Sequence, residues 1–361
     1  MTHQTTPQGR AYSYVQITEY GNLLKQIGGH IYPAKLPVLA TLRDLPAWSS
    51  IKERQAQGKL SKAPQHVIIA SEINGWRRAF SEIYPDSVHD NDFSTGLELQ
   101  MMYQRYEDMG GTLIESTEAL EQILAASDLS DDLPAHLFMP PFPALYLHFT
   151  PYVAQALRPQ QSIGAEGDIS GIFCIAAMPK EGKRHFTFLS VILKDGYTNI
   201  VRFGFDLQDD GTQTLNDAIR TSHETSFSAL EEWHRRVIGM VAKIFLYMTM
   251  KESRQVKETP HKDMLARLKL VGNKKRGKLA RQCERLYDRI IIGPEHLPHE
   301  LQGNGHDHQG VAPHWRRGHF KMQPYGPKAA LRKLLFMMPT LVGKDRLMDQ
   351  EIPTPKKYTV G

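Results

Sequence analysis

Residues 169–207 read ISGIFCIAAMPKEGKRHFTFLSVILKDGYTNIVRFGFDL, three apolar runs divided by two short polar segments. Runs rich in β-branched and aromatic residues are typical of β-strands, and a fourth run of this kind comes earlier in the chain. The four runs are Ala144–Phe149, Ile169–Met178, Phe186–Leu193 and Thr198–Leu207. The separators 179–185 and 194–197 are short enough for hairpins. We therefore expect a meandering antiparallel sheet.

Helical patterns flank the sheet on both sides. The helical segments are 11–29, 67–84, 96–109 and 117–126 before the sheet, and 215–222, 227–250 and parts of 261–289 after it. Thr117 is a candidate N-cap, and residues 227–250 are apolar on nearly every side, which predicts a central buried helix. At Asp131–Pro134 the sequence changes from helical patterns to short runs rich in β-branched and aromatic residues. The prediction is an α+β fold, with a mainly helical region at 1–132 and a sheet-plus-helix region at 133–361.

Length and composition also favour a folded protein of a reducing compartment. A chain of 361 residues with 41% hydrophobic content can bury a substantial core. The two cysteines, Cys174 and Cys283, are too few for a disulfide framework. The N-terminus lacks an apolar signal core, and the apolar run Val237–Met250 is interrupted by Lys243 and falls short of a membrane span. We therefore expect a soluble cytoplasmic protein without a membrane segment.

Charge is distributed unevenly along the chain. Residues 251–346 carry 21 Lys and Arg against 9 Asp and Glu, a net charge of +12, whereas residues 1–132 carry 11 against 17, a net charge of −6. A basic C-terminal region of this kind attracts polyanions such as nucleic acids. The alternative is that these charges form a solvated surface without a binding partner.

Within the basic region, residues 312–346 read APHWRRGHFKMQPYGPKAALRKLLFMMPTLVGKDR. Pro and Gly at 323–327 predict a sharp reversal, and the apolar run Leu334–Val342 predicts a buried strand, so the segment is hairpin-like. Gly318 would let the backbone approach a ligand closely. Arg and Lys beside aromatic residues can clasp phosphates and stack on bases, which favours a nucleic-acid surface.

Two groups of residues are therefore candidates for RNA or phosphate binding. They are Arg316, Arg317, His319 and Lys321 in the C-terminal segment, and Lys274, Lys275 and Arg276 farther upstream. Gly272 and Gly277 flank the second group and favour a basic loop between two helices. Alternatives stay open for both groups, since charges on a hairpin edge also prevent aggregation and a basic loop can simply be solvated.

Catalytic and metal-binding motifs give little support for an enzyme. The sequence has no GxSxG elbow, no GxxxxGK[ST] phosphate loop and no GxGxxG fingerprint after a strand. His319 as general base, with Arg316 or Arg317 stabilising the transition state and His314 as its partner, could cleave RNA without a metal. The His-rich segment 293–313 lacks cysteine and a helical HExxH motif, so neither a metal nor another cofactor is expected.

Four segments together resemble the second type V-A anti-CRISPR family and its plasmid and phage relatives. They are PHWRRGHF (313–320), ERLYDRIIIG (284–293), PPFPALYLHF (140–149) and ISGIFCIAAM (169–178). The resemblance covers residues 133–346 and is most specific at 313–320. It implies a protein that recognises the N-terminal peptide of a nascent CRISPR nuclease and causes loss of the nuclease mRNA, with the ribosome or mRNA, and a host ribonuclease, as partners.

A protein that recognises nascent chains needs an apolar, aromatic-lined groove, and the resemblance makes eight aromatic residues candidate peptide contacts. They are Tyr146, Phe149, Phe173, Phe186, Phe188, Trp315, Phe320 and Tyr325. Aromatic residues of a sheet more often belong to the core. Two other functions stay open: an RNA-binding or RNA-cleaving enzyme of a mobile element, and a protein-binding module without catalysis.

Overall fold

The computed structural model describes residues 14–16, 53, 57, 90–159, 167–176, 183–194, 197–208, 211–221, 228–283, 286–297 and 314–342. The α-helices within these residues are α1 Asp90–Asp108, α2 Glu118–Ala125, α3 Pro151–Ala156, α4 Leu215–Thr221, α5 Ser228–Thr249, α6 Pro260–Leu270 and α7 Asn273–Cys283. The strands are β1 Tyr14–Gln16, β2 Thr112–Ser116, β3 Ser127–Leu129, β4 Ala144–His148, β5 Asp168–Ala176, β6 Lys183–Lys194, β7 Tyr197–Gln208, β8 Gln255–Glu258, β9 Arg289–Ile292, β10 His314–Arg316, β11 Gly318–Tyr325, β12 Leu331–Met337 and β13 Thr340–Val342. The predicted α+β class is confirmed.

Eight strands form the main sheet, in the order β1-β7-β6-β5-β4-β2-β9-β8. Strands β4 to β7 pair antiparallel in chain order, which confirms the predicted meander. The sheet as a whole is mixed, because β2 runs parallel to both β4 and β9. Parallel neighbours need a crossover connection, and helix α2 lies in the connection between β2 and β4.

Helix α5 packs against one face of the main sheet through a shared aromatic core. Phe138 lies between them, with its ring centroid 4.8 Å from that of Phe205 on β7 and 5.4 Å from that of Phe245 on α5. The Trp233 indole donates a 2.8 Å hydrogen bond to the Leu157 carbonyl, so its polar edge is satisfied inside the core. The predicted central buried helix is confirmed.

Helix α1 covers part of the opposite face of the sheet. The ring of Tyr106 lies 5.7 Å from that of Phe173, which in turn lies 4.7 Å from Tyr146. Glu98 of α1 forms a 3.1 Å ion pair with Arg202 of β7. We call the main sheet with helices α1 to α5 the body of the protein.

The sheet aromatics predicted to line an open peptide groove are core residues. Tyr146, Phe149, Phe173, Phe186 and Phe188 are each at most 3% exposed. The interpretation of sheet aromatics as core residues is therefore confirmed, because helices pack on both faces of the strands that carry these side chains, and their role as peptide contacts stays a prediction. Their burial stabilises the fold, and a peptide cannot reach them without opening the body.

The first 132 residues contain strands that the helical interpretation missed. Helices α1 and α2 confirm the segments 96–109 and 117–126, and the Leu120 amide donates to the Thr117 hydroxyl as at an N-cap. Tyr14–Gln16, inside the predicted helix 11–29, is instead a strand paired with β7. The predicted helix 67–84 lies outside the described residues.

Strand β2 places part of the N-terminal region inside the main sheet. Its five residues pair with β4 on one side and β9 on the other. The division of the chain at residue 132 stays a prediction, and the main sheet takes two strands, β1 and β2, from the N-terminal side of that division.

The C-terminal strands form one long hairpin, residues 314–342, which we call the terminal hairpin. Strand β10 pairs with β13 and β11 pairs with β12 in one continuous register, from His314↔Val342 to Tyr325↔Leu331. The ladder is interrupted where Pro339, which has no amide hydrogen, faces Arg317. The predicted hairpin is confirmed, whereas the reversal predicted at 323–327 lies at 326–330, because residues 323–325 continue β11. The predicted buried strand 334–342 is only half-buried and is divided between β12 and β13.

Two helices, α6 and α7, are inserted between the neighbouring strands β8 and β9, and we call residues 260–283 the basic arm. Helix α6 has no buried residue. The predicted loop around Lys274–Arg276 was wrong, because these residues form the first turn of α7. Gly277 is accommodated inside this helix, since one glycine costs only about 1 kcal/mol relative to alanine and its neighbours Lys275, Arg276 and Lys278 are good helix formers.

No helix in the described part of the chain is long and apolar enough to cross a membrane.

Candidate functional site

Phe320 anchors the terminal hairpin to the body. Its side chain is fully buried and stacks on Phe336, with ring centroids 4.3 Å apart. Met322 and Leu334 are partly buried against the same core, since residues two apart on a strand share a face with their cross-strand partners. Phe320 is therefore a core residue, and the inner face of the hairpin packs against the body; the peptide contact predicted for Phe320 stays a prediction.

Gly318 brings the hairpin against strand β3. A Cβ atom at this position would lie 2.5 Å from the Ser127 hydroxyl and 2.7 Å from the Met337 carbonyl oxygen. The Gly318 amide donates to the Ala126 carbonyl, and β11 continues parallel to β3 up to the pair Phe320↔Leu129. The close approach expected at this glycine is made to β3, which holds the hairpin in place, rather than to a ligand.

The outer face of the terminal hairpin mixes basic, polar and apolar side chains. It consists of His319, Lys321, Gln323 and Tyr325 on β11, opposite Met337, Leu335, Lys333 and Leu331 on β12. Tyr325 is 44% exposed and Leu331 is 50% exposed. The Lys333 ammonium lies 5.7 Å from the centre of the Tyr325 ring, within the range of a cation–π contact. A partner that approaches from solvent can therefore contact cations and an aromatic ring on this face.

The terminal hairpin is strongly cationic. It contains no Asp or Glu and six Lys and Arg residues, namely Arg316, Arg317, Lys321, Lys328, Arg332 and Lys333. Arg316 and Lys333 are exposed, and Lys321 is half-buried. Cations concentrated on one exposed element are the electrostatic feature that a phosphate backbone recognises.

Arg317 is the one cation of the hairpin that forms an ion pair with an acidic residue of the described ranges. Its guanidinium lies 3.0 Å from the carboxylate of Asp128 on β3. Lys243 of α5, which donates to the Leu124 carbonyl, interacts electrostatically with both groups. Burial lowers the pKa of Lys243 to about 8; Asp128 opposes this shift and Arg317 adds to it. Arg317 thus helps join the hairpin to the body, in addition to the phosphate contact predicted for it.

The two candidate catalytic histidines lie far apart. His314 and His319 are five residues apart along one extended arm of the hairpin, so their Cα atoms are separated by about 17 Å. A Cα separation of this size does not favour an acid–base pair on a single phosphate, and the catalytic pairing stays a prediction. The side chains of His314 and Trp315 lie outside the described residues, and His319 is half-buried on the outer face.

The basic arm is a second cationic element. Between Pro260 and Cys283 it carries eight Lys and Arg residues and one acidic residue, Asp263. Lys275 and Arg276 are exposed, whereas the side chain of Lys274 is outside the described residues. The carboxylate of Asp288 accepts hydrogen bonds from the His261 and Lys262 amides, which fixes the start of helix α6. The arm presents its charges on rigid helices rather than on the predicted loop.

No group of three or more His, Cys, Asp or Glu residues in the described ranges has the geometry to hold a metal ion. His296 is exposed, whereas His299, His306 and His308 lie outside those ranges. The prediction that no metal is required stays a prediction.

Sequence reasoning missed a buried carboxylate, Glu121, which joins β2, α2 and α3. Its oxygens accept hydrogen bonds from the Ser116 hydroxyl at 2.5 Å, from the Thr150 amide at 3.0 Å and from the Val153 amide at 3.3 Å, together with the Thr150 hydroxyl. Burial raises the pKa of Glu121 to about 7, against the lowering effect of these hydrogen bonds. The signal in the sequence is a glutamate on the same helical stripe as Leu124.

A second polar group missed from the sequence lies on strands β2, β8 and β9. The Arg289 guanidinium donates to Glu115 at 2.9 Å and to Glu258 at 2.8 Å. Because the two glutamates lie on separate strands on either side of β9, this bridge ties three strands together. Residues so far apart in the chain carry no local signal of their proximity.

A family model described as the AcrVA2-like, Anti-CRISPR type V subtype A2 family matches residues 114–344 of the chain. The chain belongs to this family. The match begins in strand β2 and ends just after β13, so it includes the basic arm, the terminal hairpin and the main sheet except for β1 and the start of β2. Comparison with curated proteins and with solved structures gives no match.

Membership in the AcrVA2-like anti-CRISPR family supports an inhibitory function directed at a CRISPR effector protein. It agrees with the resemblance seen in residues 133–346 and extends it upstream to include α2 and part of β2.

Proposed function

We propose that this protein inhibits a type V CRISPR nuclease while the nuclease is being synthesised. The protein recognises the N-terminal peptide as it leaves the ribosome and causes loss of the mRNA that encodes it. Membership in the anti-CRISPR family supports the target class. The observation that carries the RNA side of the proposal is the terminal hairpin, which has six cations, no acidic residue and an exposed outer face.

The hairpin contacts RNA through side chains that packing leaves available. Arg316, Lys321 and Lys333 supply positive charge for phosphates, and Tyr325 supplies an exposed ring on which a base can stack. The buried Phe320 and Phe336 hold these side chains on a fixed strand pair. A rigid cationic surface binds with a smaller loss of conformational entropy than a flexible tail.

The basic arm adds a second contact for the same RNA or for the ribosome. Its exposed residues Lys275 and Arg276 lie on helix α7, and α6 buries no side chain in the core. Two helices that contribute so little apolar burial cost conformational entropy without a matching gain for the fold. Because these helices add little to the stability of the fold, binding a polyanion is the role that we assign to them.

The candidate peptide contacts that remain accessible lie at the protein surface rather than on the main sheet. The five sheet candidates are enclosed in the body, and Phe320 is enclosed with them, whereas Tyr325 is available on the outer face. We therefore assign peptide recognition to the terminal hairpin and its surroundings, with Trp315 kept as a candidate.

The test is silencing in cells that express the target nuclease with an altered leader. Synonymous recoding of the first codons changes the mRNA and keeps the peptide, whereas a compensated pair of frameshifts changes the peptide and nearly preserves the mRNA. We expect mRNA loss to persist after recoding and to disappear after the frameshift. Equal loss of both transcripts contradicts peptide recognition and favours an RNA-cleaving enzyme. Persistence of both transcripts, with a stoichiometric host protein co-purifying, favours a binding module.

A further inference from the structure

Strand β12 is an edge strand. The three-stranded sheet of the hairpin has the order β12-β11-β3, so β12 pairs with β11 on one side only. No strand in the described part of the chain pairs with its other side. Alternate N–H and C=O groups of its seven residues therefore point away from the sheet, where an added strand can bond to them.

The side chains along this edge are apolar or cationic. Leu331 and Met337, at the two ends of β12, are 50% and 41% exposed, and Met338 just beyond is 38% exposed. Arg332 and Lys333 lie between them and are exposed. A strand added beside β12 would place its own alternate side chains next to Leu331, Lys333 and Met337 on the outer face. Apolar and acidic side chains suit those neighbours.

The same charges select the occupant. A second copy of this chain would bring together two hairpins that each carry six cations and no acidic residue, which destabilises pairing of two β12 edges. An acidic strand meets no acidic residue on the terminal hairpin and gains from its cations. Edge strands that bind extended peptides obtain affinity from main-chain hydrogen bonds and specificity from alternate side chains.

We propose that the outer edge of β12 binds an extended peptide as an added β-strand, with apolar residues beside Leu331 and Met337 and an acidic residue beside Lys333. This inference rests on the proposed function, because it identifies where a nascent peptide is held. The seven residues of β12 set the length of the bound segment.

The test uses a fluorescent eight-residue peptide in which Val-Val-Glu-Glu is repeated, so that each face of the strand carries both residue types, with binding to the full chain followed by polarisation. Two further peptides carry N-methyl groups at all odd or all even positions. An added strand directs only one set of amides toward β12, so one N-methylated peptide should lose affinity by about tenfold or more while the other binds like the parent. Equal binding of both N-methylated peptides, or no binding of the parent, overturns the inference.

Variants locate the site. Arg332→Glu with Lys333→Glu should weaken binding of the Val-Val-Glu-Glu peptide by about tenfold or more, whereas Lys328→Glu, a single reversal in the connecting turn outside β12, should have a much smaller effect. Equal loss in both proteins overturns the assignment to β12. If peptide binding follows this pattern while silencing ignores the encoded peptide, the proposed function fails and the inference holds. If silencing follows the encoded peptide in the double variant as in the parent, the inference fails and the proposed function holds.

Discussion

On strands β4 to β7 of the main sheet the described aromatic side chains are enclosed by helices, whereas in the terminal hairpin they are divided between two faces. Phe173 and Phe188 of the main sheet are fully buried, and so is Phe320 on the inner face of the hairpin. Tyr325, five residues after Phe320 on the same strand, is 44% exposed beside Lys333. An aromatic residue therefore indicates a binding surface here only where one face of a strand pair is left uncovered.

Charged groups show the same contrast. Glu121 in the body is fully buried and its carboxylate accepts four hydrogen bonds from Ser116, Thr150 and Val153. Arg316 in the hairpin is exposed. A group whose hydrogen bonds are used inside the fold stabilises the fold, while a group left at the surface can bind a partner.

The largest expected effect separates the two faces of β11. Replacing Phe320 by alanine should lower the free energy of unfolding by about 3–5 kcal/mol, because a fully buried ring leaves a cavity. Replacing Tyr325 by alanine should change it by less than about 0.5 kcal/mol. Urea unfolding of both variants measures the difference. Similar losses in the two proteins would break the distinction between an inner and an outer face.

The next effect concerns the buried carboxylate. Glu121→Ala should cost about 1–3 kcal/mol of unfolding free energy, because amides at the start of α3 lose their acceptor. The raised pKa also predicts a pH dependence. The folded state holds the proton with a pKa of about 7 and the unfolded state with 4.5, so stability falls as the pH rises between these values and is level above them.

Glu121→Gln is the matched variant for this pH dependence. Glutamine keeps the size of the side chain and cannot ionise, so the fall in unfolding free energy between pH 4.5 and about pH 7 should become smaller by the contribution of this one group. Chemical unfolding at several pH values checks it. An unchanged pH profile in the glutamine variant would assign the dependence to other groups.

The smallest effect is expected at the ion pair between the hairpin and β3. Arg317 and Asp128 are each more than one third exposed, so a double-mutant cycle to alanine should give a coupling of less than about 1 kcal/mol. Arg316→Ala serves as the comparison for stability, because Arg316 is exposed and forms no ion pair with the residues that the structure describes. A coupling of several kcal/mol would mean that Arg317 acts as a buried structural cation and would sharpen its difference from Arg316.

The sequence predicted those elements whose own periodicity is strong. The meander of β4 to β7 and the apolar helix α5 have patterns that tertiary contacts reinforce. Strand β2 was missed because five residues between two helices give too little pattern, and only its pairing with β4 and β9 makes it a strand. Short segments are decided by the partners that the fold supplies.

The candidate site was predicted in composition but not in arrangement. The cations of the hairpin were identified from the sequence, whereas the ion pair of Arg317 depends on Asp128, almost 200 residues earlier in the chain. The peptide candidates on the sheet were placed on an open face because composition alone does not say which helices cover a sheet. The glycines around Lys274–Arg276 suggested a loop, although the residues between them favour a helix.

The most direct test of the central claim measures RNA association of the purified protein as a function of salt. Replacing Arg316, Lys321 and Lys333 by glutamine removes three cations from the hairpin, and should reduce the slope of log affinity against log salt concentration by about 2–3. The control replaces Lys183, Arg220 and Lys251, three exposed cations of the described chain outside the hairpin and the arm, and should leave the slope unchanged. A slope that is unchanged in the hairpin variant, with unfolding free energy preserved, would contradict the account.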